Sequence, residues 1–400
     1  MTHRRLAPLL ALAVALVPFT LDAYLPAFPA IARDLGVSTN EVGLTLSVYV
    51  FVLALGQLIG GPLSDRFGRR PILLAGLGVF IVGSLLVAAA ATLPAVLASR
   101  ALQAFGGGWV AVSVPAIVRD RTSGNETARL FSLIALIMFL APAIAPTLGT
   151  LFLTLAGWRG IFWFLAGYAL LVGVLLQLLL FHRLDANPRE REPLHALITN
   201  YRHVLGHGTA MLLVALQALN FGVLILYLTH SPFLLQDWLG LGNAGFATVF
   251  AANVGAMACV ALLNRWLLRR FAPRQILAVA VPMQCLAVAL LLAVTALPVP
   301  RWLLVPALMA IVASMGATSP NVQASVMQFF RALGGTAAAL LGAVQFAGGG
   351  LISAASALLA NGNAPRVAGS MLACSLLAVL LTMPATVRLR HHHGEPAPGL

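Results

Sequence analysis

The sequence contains no lysine, few acidic residues and little charge of any kind. Its 24 basic residues are all arginine, against 11 Asp and Glu, and charged residues make up only 9% of the 400 positions. A soluble domain carries about 25% charged residues, whereas 60% of this chain is hydrophobic. A water-soluble fold of this size cannot bury so much apolar surface. The composition therefore predicts a protein whose solvent is lipid.

Other scarce features exclude whole classes of function. The three cysteines, Cys259, Cys285 and Cys374, fall inside apolar runs without metal-site spacing and are interpreted as small core side chains. The sequence has no Walker-type glycine loop, so ATP is not expected to drive it directly. Its arginines lie in short gaps between apolar runs, which argues against a nucleic-acid partner. We expect no metal, no bound cofactor and no enzymatic activity.

What the sequence does have is a series of twelve apolar segments of about 20 residues, the length that crosses a bilayer. They cover residues 6–28, 42–63, 71–91, 94–117, 129–153, 158–181, 210–232, 243–264, 274–296, 301–323, 333–357 and 367–387. The polar segment 182–209 separates six spans from six. The sequence thus predicts an N-terminal six-helix bundle over 1–181, a cytoplasmic central loop over 182–209, and a C-terminal six-helix bundle with a short cytoplasmic tail over 210–400.

The arginines orient these spans. With the N-terminus in the cytoplasm, 19 arginines fall on the cytoplasmic side, 4 fall on the opposite side, and Arg100 lies within a span. Positive residues concentrate on the cytoplasmic side of membrane proteins. We therefore expect a multi-pass protein of a bacterial inner membrane with both termini cytoplasmic.

The two halves also echo each other. "PLSDRFGRRPILL" follows span 2, and "LLNRWLLRRFAPRQIL" follows span 8, so that Asp65 and Arg66 correspond to Asn264 and Arg265. Together with the division into six and six spans, this echo predicts two parallel repeats. The predicted fold is all-α and integral to the membrane, with twelve transmembrane helices in two pseudo-symmetric bundles.

The segment after span 2 carries a family signature of the form Gly-x-Leu-x-Asp-Arg-x-Gly-Arg-Arg/Lys. On this pattern the sequence resembles the major facilitator superfamily, which implies the fold just described. The matching positions are Gly61, Leu63, Asp65, Arg66, Gly68, Arg69 and Arg70.

Two weaker signatures resemble the drug:proton antiporter branch of that family. Span 4 has Arg100 and Gln103 in "RALQAFGGG", although Ala104 replaces a glycine of the pattern. Span 5 has "APAIAPTLGT", in which three glycines of the antiport pattern are absent. Its matching positions are Ala141, Ala145, Pro146, Gly149 and Thr150.

The opening "LDAYLPAFPAIARDLG" resembles bicyclomycin/chloramphenicol-resistance (Bcr/CflA-type) transporters. The resemblance implies a monomeric, proton-coupled exporter of small drug-like molecules. Two other hypotheses about function stay open at this point. One is a metabolite, sugar or siderophore carrier of the same fold, and the other is a channel or a non-transporting membrane scaffold.

Two ionisable side chains within the predicted spans are strong functional candidates, because charge is expensive in the membrane. Asp22 lies about 24 Å from the cytoplasmic start of span 1, and Arg100 lies about 9 Å from the outer end of span 4. In a core about 30 Å thick these depths are similar, so the geometry allows the two side chains to face each other. We interpret Asp22 as the proton carrier and Arg100 as the residue that tunes it. The alternatives are a structural ion pair or cap for Asp22 and a packing anchor for Arg100.

Two prolines near Asp22 predict a local distortion of span 1. Pro18, Asp22 and Pro26 share one helix face, and Pro26 has no N–H to offer the carbonyl of Asp22. Span 1 is therefore expected to be kinked or loosened there. Freed carbonyls are tolerated in a membrane only beside protein or a water-filled cavity.

Span 7 carries a polar stripe. Gln217, Asn220 and Tyr227 fall within about 80° of arc, which indicates either substrate contact or interhelical hydrogen bonding. Tyr24 and Gln103 are further candidates for substrate contact. His230, near the outer end of the span, is expected to be solvated.

The charged loop after span 2 is predicted to act as a conformational latch. An acid at a helix C-terminus is unfavourable unless it is compensated. Arg69, four residues after Asp65, can compensate it, as can the start of span 11 near residues 331–336. In span 5, the small residues and Pro146 indicate either close helix packing or a hinge, and Pro26 is a second candidate hinge.

Overall fold

The regular elements are all helical. The structure, a computed structural model, describes residues 6–121, 124–181, 194–330, 333–360 and 362–392. In order, the α-helices are α1 (Leu6–Asp22), α2 (Phe28–Leu35), α3 (Thr39–Phe67), α4 (Arg69–Ala89), α5 (Leu93–Arg121), α6 (Gly124–Leu175), α7 (Leu194–Leu205), α8 (Gly208–Pro232), α9 (Asn243–Leu267), α10 (Pro273–Ala296), α11 (Leu304–Met327), α12 (Gly334–Ala360) and α13 (Ala364–His392). Short 3-10 turns cover Leu25–Ala27 and Arg301–Leu303, and π-helical turns cover Leu176–Leu180 and Phe233–Trp238.

Within the described residues, 11 helical stretches are long and apolar enough to cross a membrane, and one of them is two spans. That stretch, Leu140–Leu180, has 41 residues, about 60 Å as a straight helix and twice the bilayer core. It reverses at Gly157, whose φ of 68° and ψ of −176° suit glycine alone. The rings of Phe152 and Phe164 consequently stack 4.4 Å apart, where a straight helix would separate the residues by about 18 Å. The predicted all-α fold with twelve transmembrane helices is thus confirmed.

The chain divides into two compact units. The first comprises Met1–Glu192 and Leu228–Ala251, and the second comprises Pro193–Tyr227 and Ala252–Leu400. The end of α8 and the start of α9 thus group with the first unit. Helix α7 occupies part of the predicted central loop. The first part of that loop, 182–193, and the predicted tail beyond 392 lie outside the described residues.

Span 1 is broken where the prolines predict it. Helix α1 ends at Asp22, a 3-10 turn follows in which the Ala27 N–H donates to the Tyr24 carbonyl at 2.9 Å, and α2 resumes at Phe28. Pro26 explains the break, because it cannot donate to the carbonyl of Asp22. The break lies within the single membrane-spanning stretch Pro8–Leu35, and Asp22 is the last residue of α1 before it.

Gly149 allows α6 to pack directly against the backbone of span 1 at its break. A Cβ added to Gly149 would lie closer to the carbonyl oxygen of Ala23 than any non-bonded contact allows, so the backbones of α6 and the broken segment touch. Gly149 is the one glycine of the antiport pattern that this sequence retains. Ala141, Ala145 and Pro146 on the same helix are also buried, as close packing requires. A hinge at this place stays a prediction.

Replacing Gly149 by alanine is expected to damage the fold. The added methyl group meets backbone atoms that cannot move aside, and overpacking of this kind costs about 1–3 kcal/mol. Thermal unfolding in detergent and the yield of monodisperse protein measure the effect. The matched control is Gly167→Ala in the same helix, since nothing lies within 4 Å of a Cβ added there. Equal stability of the two variants would contradict the close contact.

Candidate functional site

The most deeply buried charged side chain is Arg100 on α5, which is 0% exposed. Its Nη1 donates to Gln103 Oε1 at 2.6 Å, and its Nη2 lies 3.5 Å from the carbonyl oxygen of Thr20. Gln103 in turn donates through Nε2 to the hydroxyl of Ser84 on α4 at 2.7 Å. A chain of hydrogen bonds thus joins α1, α5 and α4 around one buried cation.

Aromatic rings complete the surroundings of this cation. The guanidinium carbon lies 4.3 Å from the ring centres of both Tyr24 and Tyr49 and 5.7 Å from that of Phe162. Cation–π contacts of this kind contribute about 2 kcal/mol each when they are desolvated. We call the residues around Arg100 the arginine site; they are Thr20, Tyr24, Tyr49, Ser84, Gln103 and Phe162.

Asp22 lies in the same segment, between Thr20 and Tyr24, and is 4% exposed. The structure therefore brings Arg100 to the segment that carries the acid, as the depth estimate required. The two side chains do not form an ion pair, although both belong to the described residues, where the ion pairs of α1–α6 are Arg69–Asp65, Arg69–Asp120 and Arg159–Asp34. The guanidinium instead faces the two tyrosines and Gln103.

The Nε atom of Arg100 is an unused donor. It is buried and has no hydrogen-bond partner within the described part of the chain. A buried donor of a charged group that makes no hydrogen bond is costly, so this N–H is available to an acceptor that arrives in another conformational or ligand-bound state. A carboxylate is the strongest such acceptor.

Tyr24 and Gln103 support Arg100 in this structure. Tyr24 is 1% exposed, its hydroxyl shares a 3.2 Å hydrogen bond with that of Thr45, and its ring centre lies 5.0 Å from that of Phe28. Gln103 is fully buried; its Oε1 accepts a hydrogen bond from Arg100 and its Nε2 donates one to Ser84. Substrate contact by either side chain stays a prediction that requires the site to open.

The polar stripe predicted on span 7 lies on α8. Some of its residues form interhelical hydrogen bonds, and one is still a candidate for substrate contact. Gln217 donates through Nε2 to Ser319 Oγ and Gln345 Oε1, both at 2.9 Å, which is interhelical hydrogen bonding. Tyr227 likewise accepts a 2.7 Å hydrogen bond from Asn253 Nδ2. Asn220 differs, because it is 0% exposed and neither of its amide atoms has a partner within the described residues. Asn220 therefore retains the strongest case for contact with a polar ligand.

The expectation that His230 is solvated was wrong. The side chain is 0% exposed, and its Nδ1 lies 3.2 Å from Oδ1 of Asn40 near the start of α3. Nearby, Gln236 Nε2 lies 3.4 Å from the carbonyl oxygen of Pro26. These contacts lie within the first unit and explain why the end of α8 groups with it. Nothing in the local sequence pattern identified Asn40 as the partner.

The predicted pair forms across the junction of α3 and α4, where Asp65 near the end of α3 lies 2.5 Å from Arg69, the first residue of α4. Arg69 also donates through Nε to Asp120 Oδ2 at 2.9 Å and through Nη1 to Ser64 Oγ at 3.1 Å. Sequence reasoning missed Asp120, which lies near the end of α5, 51 residues from Arg69. The three acceptors fix the Arg69 guanidinium at the junction of α3, α4 and α5.

The remaining signature residues lie at or near the same junction of α3 and α4. Gly68 ends α3 with a φ of 98°, and Arg66 lies 5.5 Å from the ring centre of Phe67. Arg70 donates to Gln177 Oε1 at 3.2 Å. A Cβ added to Gly61 meets nothing within 4 Å. The predicted second partner of Asp65 includes residues 331 and 332, which lie outside the described residues.

Replacing Asp65 by alanine is expected to abolish transport while leaving insertion and folding intact. Its side chain is 50% exposed and Arg69 keeps two other acceptors, so the lost pair should cost less than about 1 kcal/mol. Transport by vesicles, normalised to inserted protein, measures the effect. Asp34→Ala removes a comparable exposed pair, with Arg159 at 2.8 Å, and serves as the control. Unimpaired transport by Asp65→Ala would exclude the latch.

No group of three or more His, Cys, Asp or Glu side chains that could hold a metal ion occurs among the described residues. The site therefore consists of a buried acid, a buried arginine and hydrogen-bonding or aromatic neighbours. Such a set can exchange a proton and hold a polar group.

Comparison with known proteins agrees with this geometry. The sequence profile of the Major Facilitator Superfamily matches residues 10–354. The chain is 29% identical over 375 residues to a bicyclomycin resistance protein homolog of Haemophilus influenzae, covering 91% of this chain and 92% of the relative. It is 28% identical over 374 residues to the multidrug resistance protein MdtL of Escherichia coli, covering 92% and 93%.

Solved structures share the fold. The D-xylose-proton symporter superposes with a TM-score of 0.77 at 16% identity, covering 94% of this chain and 96% of that one. An occupied, inward-facing bacterial homolog of the human lysosomal transporter Spinster superposes with a TM-score of 0.75 at 16% identity, covering 96% of each. The matches indicate a multi-pass membrane transporter rather than an enzyme, and the chain belongs to the major facilitator superfamily.

Proposed function

We propose that this transporter exports small, amphipathic, drug-like molecules in exchange for protons. It works by alternating access in the bacterial inner membrane as a monomer, with both termini cytoplasmic. The observation that carries the proposal is a buried acid, Asp22, at a break in its span and next to the arginine site. The proton is the coupling ion, and no other cofactor is required.

Burial ties the charge of Asp22 to conformation. An ionised carboxylate that lacks both water and a counter-ion is costly to bury. Asp22 is 4% exposed and makes no ion pair with Arg100. Loss of its proton therefore demands that water or the unused Nε–H of Arg100 reach the carboxyl group. Either event requires the residues around the break to rearrange. Deprotonation of Asp22 is then coupled to a conformational change, as proton-coupled transport requires.

The chemistry of the spans favours an amphipathic substrate over a charged metabolite. The described residues of the second unit contain no Asp or Glu, so no carboxylate on that side can neutralise a cationic substrate. Asn220 instead offers an unpaired amide, which suits a neutral polar group. Relatives named for multidrug resistance and bicyclomycin resistance support the same substrate class.

An efflux assay in a host that lacks its own drug pumps tests the proposal. Expression should lower the accumulation of several antibiotics, and a protonophore should restore accumulation because it removes the driving gradient. Preloaded substrate should also accelerate the uptake of labelled substrate in the absence of a gradient. A channel cannot produce that counterflow. Efflux that survives the protonophore, or counterflow that is absent, would contradict the proposal.

A further inference from the structure

A groove in the second unit is lined by none of the residues of the arginine site or of the polar stripe on α8. It lies between α9, α10 and α11, has a volume of about 460 Å³, and its walls are almost entirely apolar. Leu267 and Phe271 line one end of it, and Met283 lines the other. Phe271 is 46% exposed and Met283 is 64% exposed, so in a membrane-spanning chain the groove opens toward lipid.

Small residues on one face of α11 create the hollow. Ala310, Ala313, Ser314 and Ala317 line the groove, and their spacing of three, four and seven residues places them in a single row. On α10 the lining runs over the nine residues from Gln275 to Met283, about 12 Å along the axis. The groove therefore reaches more than a third of the way into a hydrocarbon core about 30 Å thick.

Positive charge is concentrated at one end of the groove. Arg265, Arg269 and Arg270 are exposed and flank Leu267 and Phe271, the lining residues at the turn from α9 to α10. Helix α10 also begins here, at Pro273, and a helix N-terminus attracts anions. The groove thus has an apolar body and a cationic mouth.

No acid in the described part of the second unit neutralises this mouth. The described residues of the second unit contain no Asp or Glu. In the matching loop of the first half, Arg69 is held by both Asp65 and Asp120. At the position that corresponds to Asp65 the chain has Asn264, whose Oδ1 accepts a 2.6 Å hydrogen bond from Asn321. Among the described residues of the second unit, none can supply the anion that balances these arginines.

We propose that this groove binds one anionic diacyl phospholipid from the surrounding bilayer. An acyl chain fills the apolar hollow, and the phosphate lies against Arg265, Arg269 and Arg270. A zwitterionic lipid fits the hollow but brings no net charge to the mouth, and inorganic phosphate fits the mouth but leaves the hollow unfilled. Only an anionic lipid complements both parts.

Native mass spectrometry of the detergent-purified protein, titrated with phosphatidylglycerol or phosphatidylcholine of the same chains, tests the site. Phosphatidylglycerol should bind first and more tightly. Neutralising two arginines, as Arg269→Gln with Arg270→Gln, should weaken its binding about 30-fold. The matched control is Arg33→Gln with Arg366→Gln, which removes two exposed arginines elsewhere and should leave binding unchanged. Equal binding of the two lipids, or equal effects of the two double variants, would overturn the proposal.

A second pair of variants tests the hollow independently of the charge. Ala280→Trp fills the groove and should abolish the tight phosphatidylglycerol adduct. Leu262→Trp places the same ring on α9 at a position that is 67% exposed and outside the lining, and should retain the adduct. Retention of the adduct by both variants would show that the lipid binds elsewhere. Inorganic phosphate at matched concentration should not displace it, and displacement would reduce the site to an anion site without a lipid.

Discussion

Replacing Arg100 by lysine is expected to reduce transport more than tenfold, even though the positive charge is kept. The guanidinium lies 4.3 Å from the ring centres of Tyr24 and Tyr49 and donates to Gln103 at 2.6 Å. Lysine has no planar group to stack between two rings and no fork of donors. The loss of these contacts should also lower stability by about 2 kcal/mol. Initial transport rates and thermal unfolding measure the two effects.

Arg159→Lys is the matched control. Arg159 also lies 4.3 Å from an aromatic ring centre, that of Trp158, and donates to Asp34 at 2.8 Å, but its side chain is 39% exposed. Water can form the hydrogen bonds that lysine does not form at this exposed position. Transport should therefore stay close to that of the unmodified protein. If Arg100→Lys transports as well as Arg159→Lys, the geometry of the arginine site does not matter for function.

Replacing Asp22 by asparagine is expected to separate substrate movement from proton movement. Asparagine has nearly the same shape but cannot gain or lose a proton in the relevant pH range. Proton-driven uptake into inverted vesicles should fall more than tenfold. Exchange of labelled for unlabelled substrate, which needs no net proton transfer, should persist. Asp34→Asn, which alters an exposed acid at the end of α2, should leave both activities intact.

These two residues illustrate what sequence can predict. Depth counting placed Asp22 and Arg100 at one level, and the structure brings Arg100 to the segment from Thr20 to Tyr24. Pro26 predicted the break because the lack of an N–H acts locally. Composition and span length predicted the twelve crossings, and the gap predicted between spans 5 and 6, residues 154–157, contains the turn at Gly157.

Other features depend on contacts that no local pattern encodes. Tyr49 and Phe162 reach Arg100 from α3 and α6, and either residue could equally have been packing. Asp22 and Arg100 do not form an ion pair, because the orientation of the guanidinium depends on its neighbours from four helices. Asp120 was missed because its partner Arg69 is 51 residues away. His230 was expected in solvent, since its burial depends on packing against α3.

The central claim is that Asp22 carries the proton that substrate binding displaces. The most direct measurement adds a transported substrate to purified protein in weakly buffered detergent solution and follows the pH with an indicator dye. The unmodified protein should release protons in proportion to the substrate bound, and Asp22→Asn should bind substrate without releasing them. Equal proton release by both proteins would contradict the account and assign the coupling proton to another group.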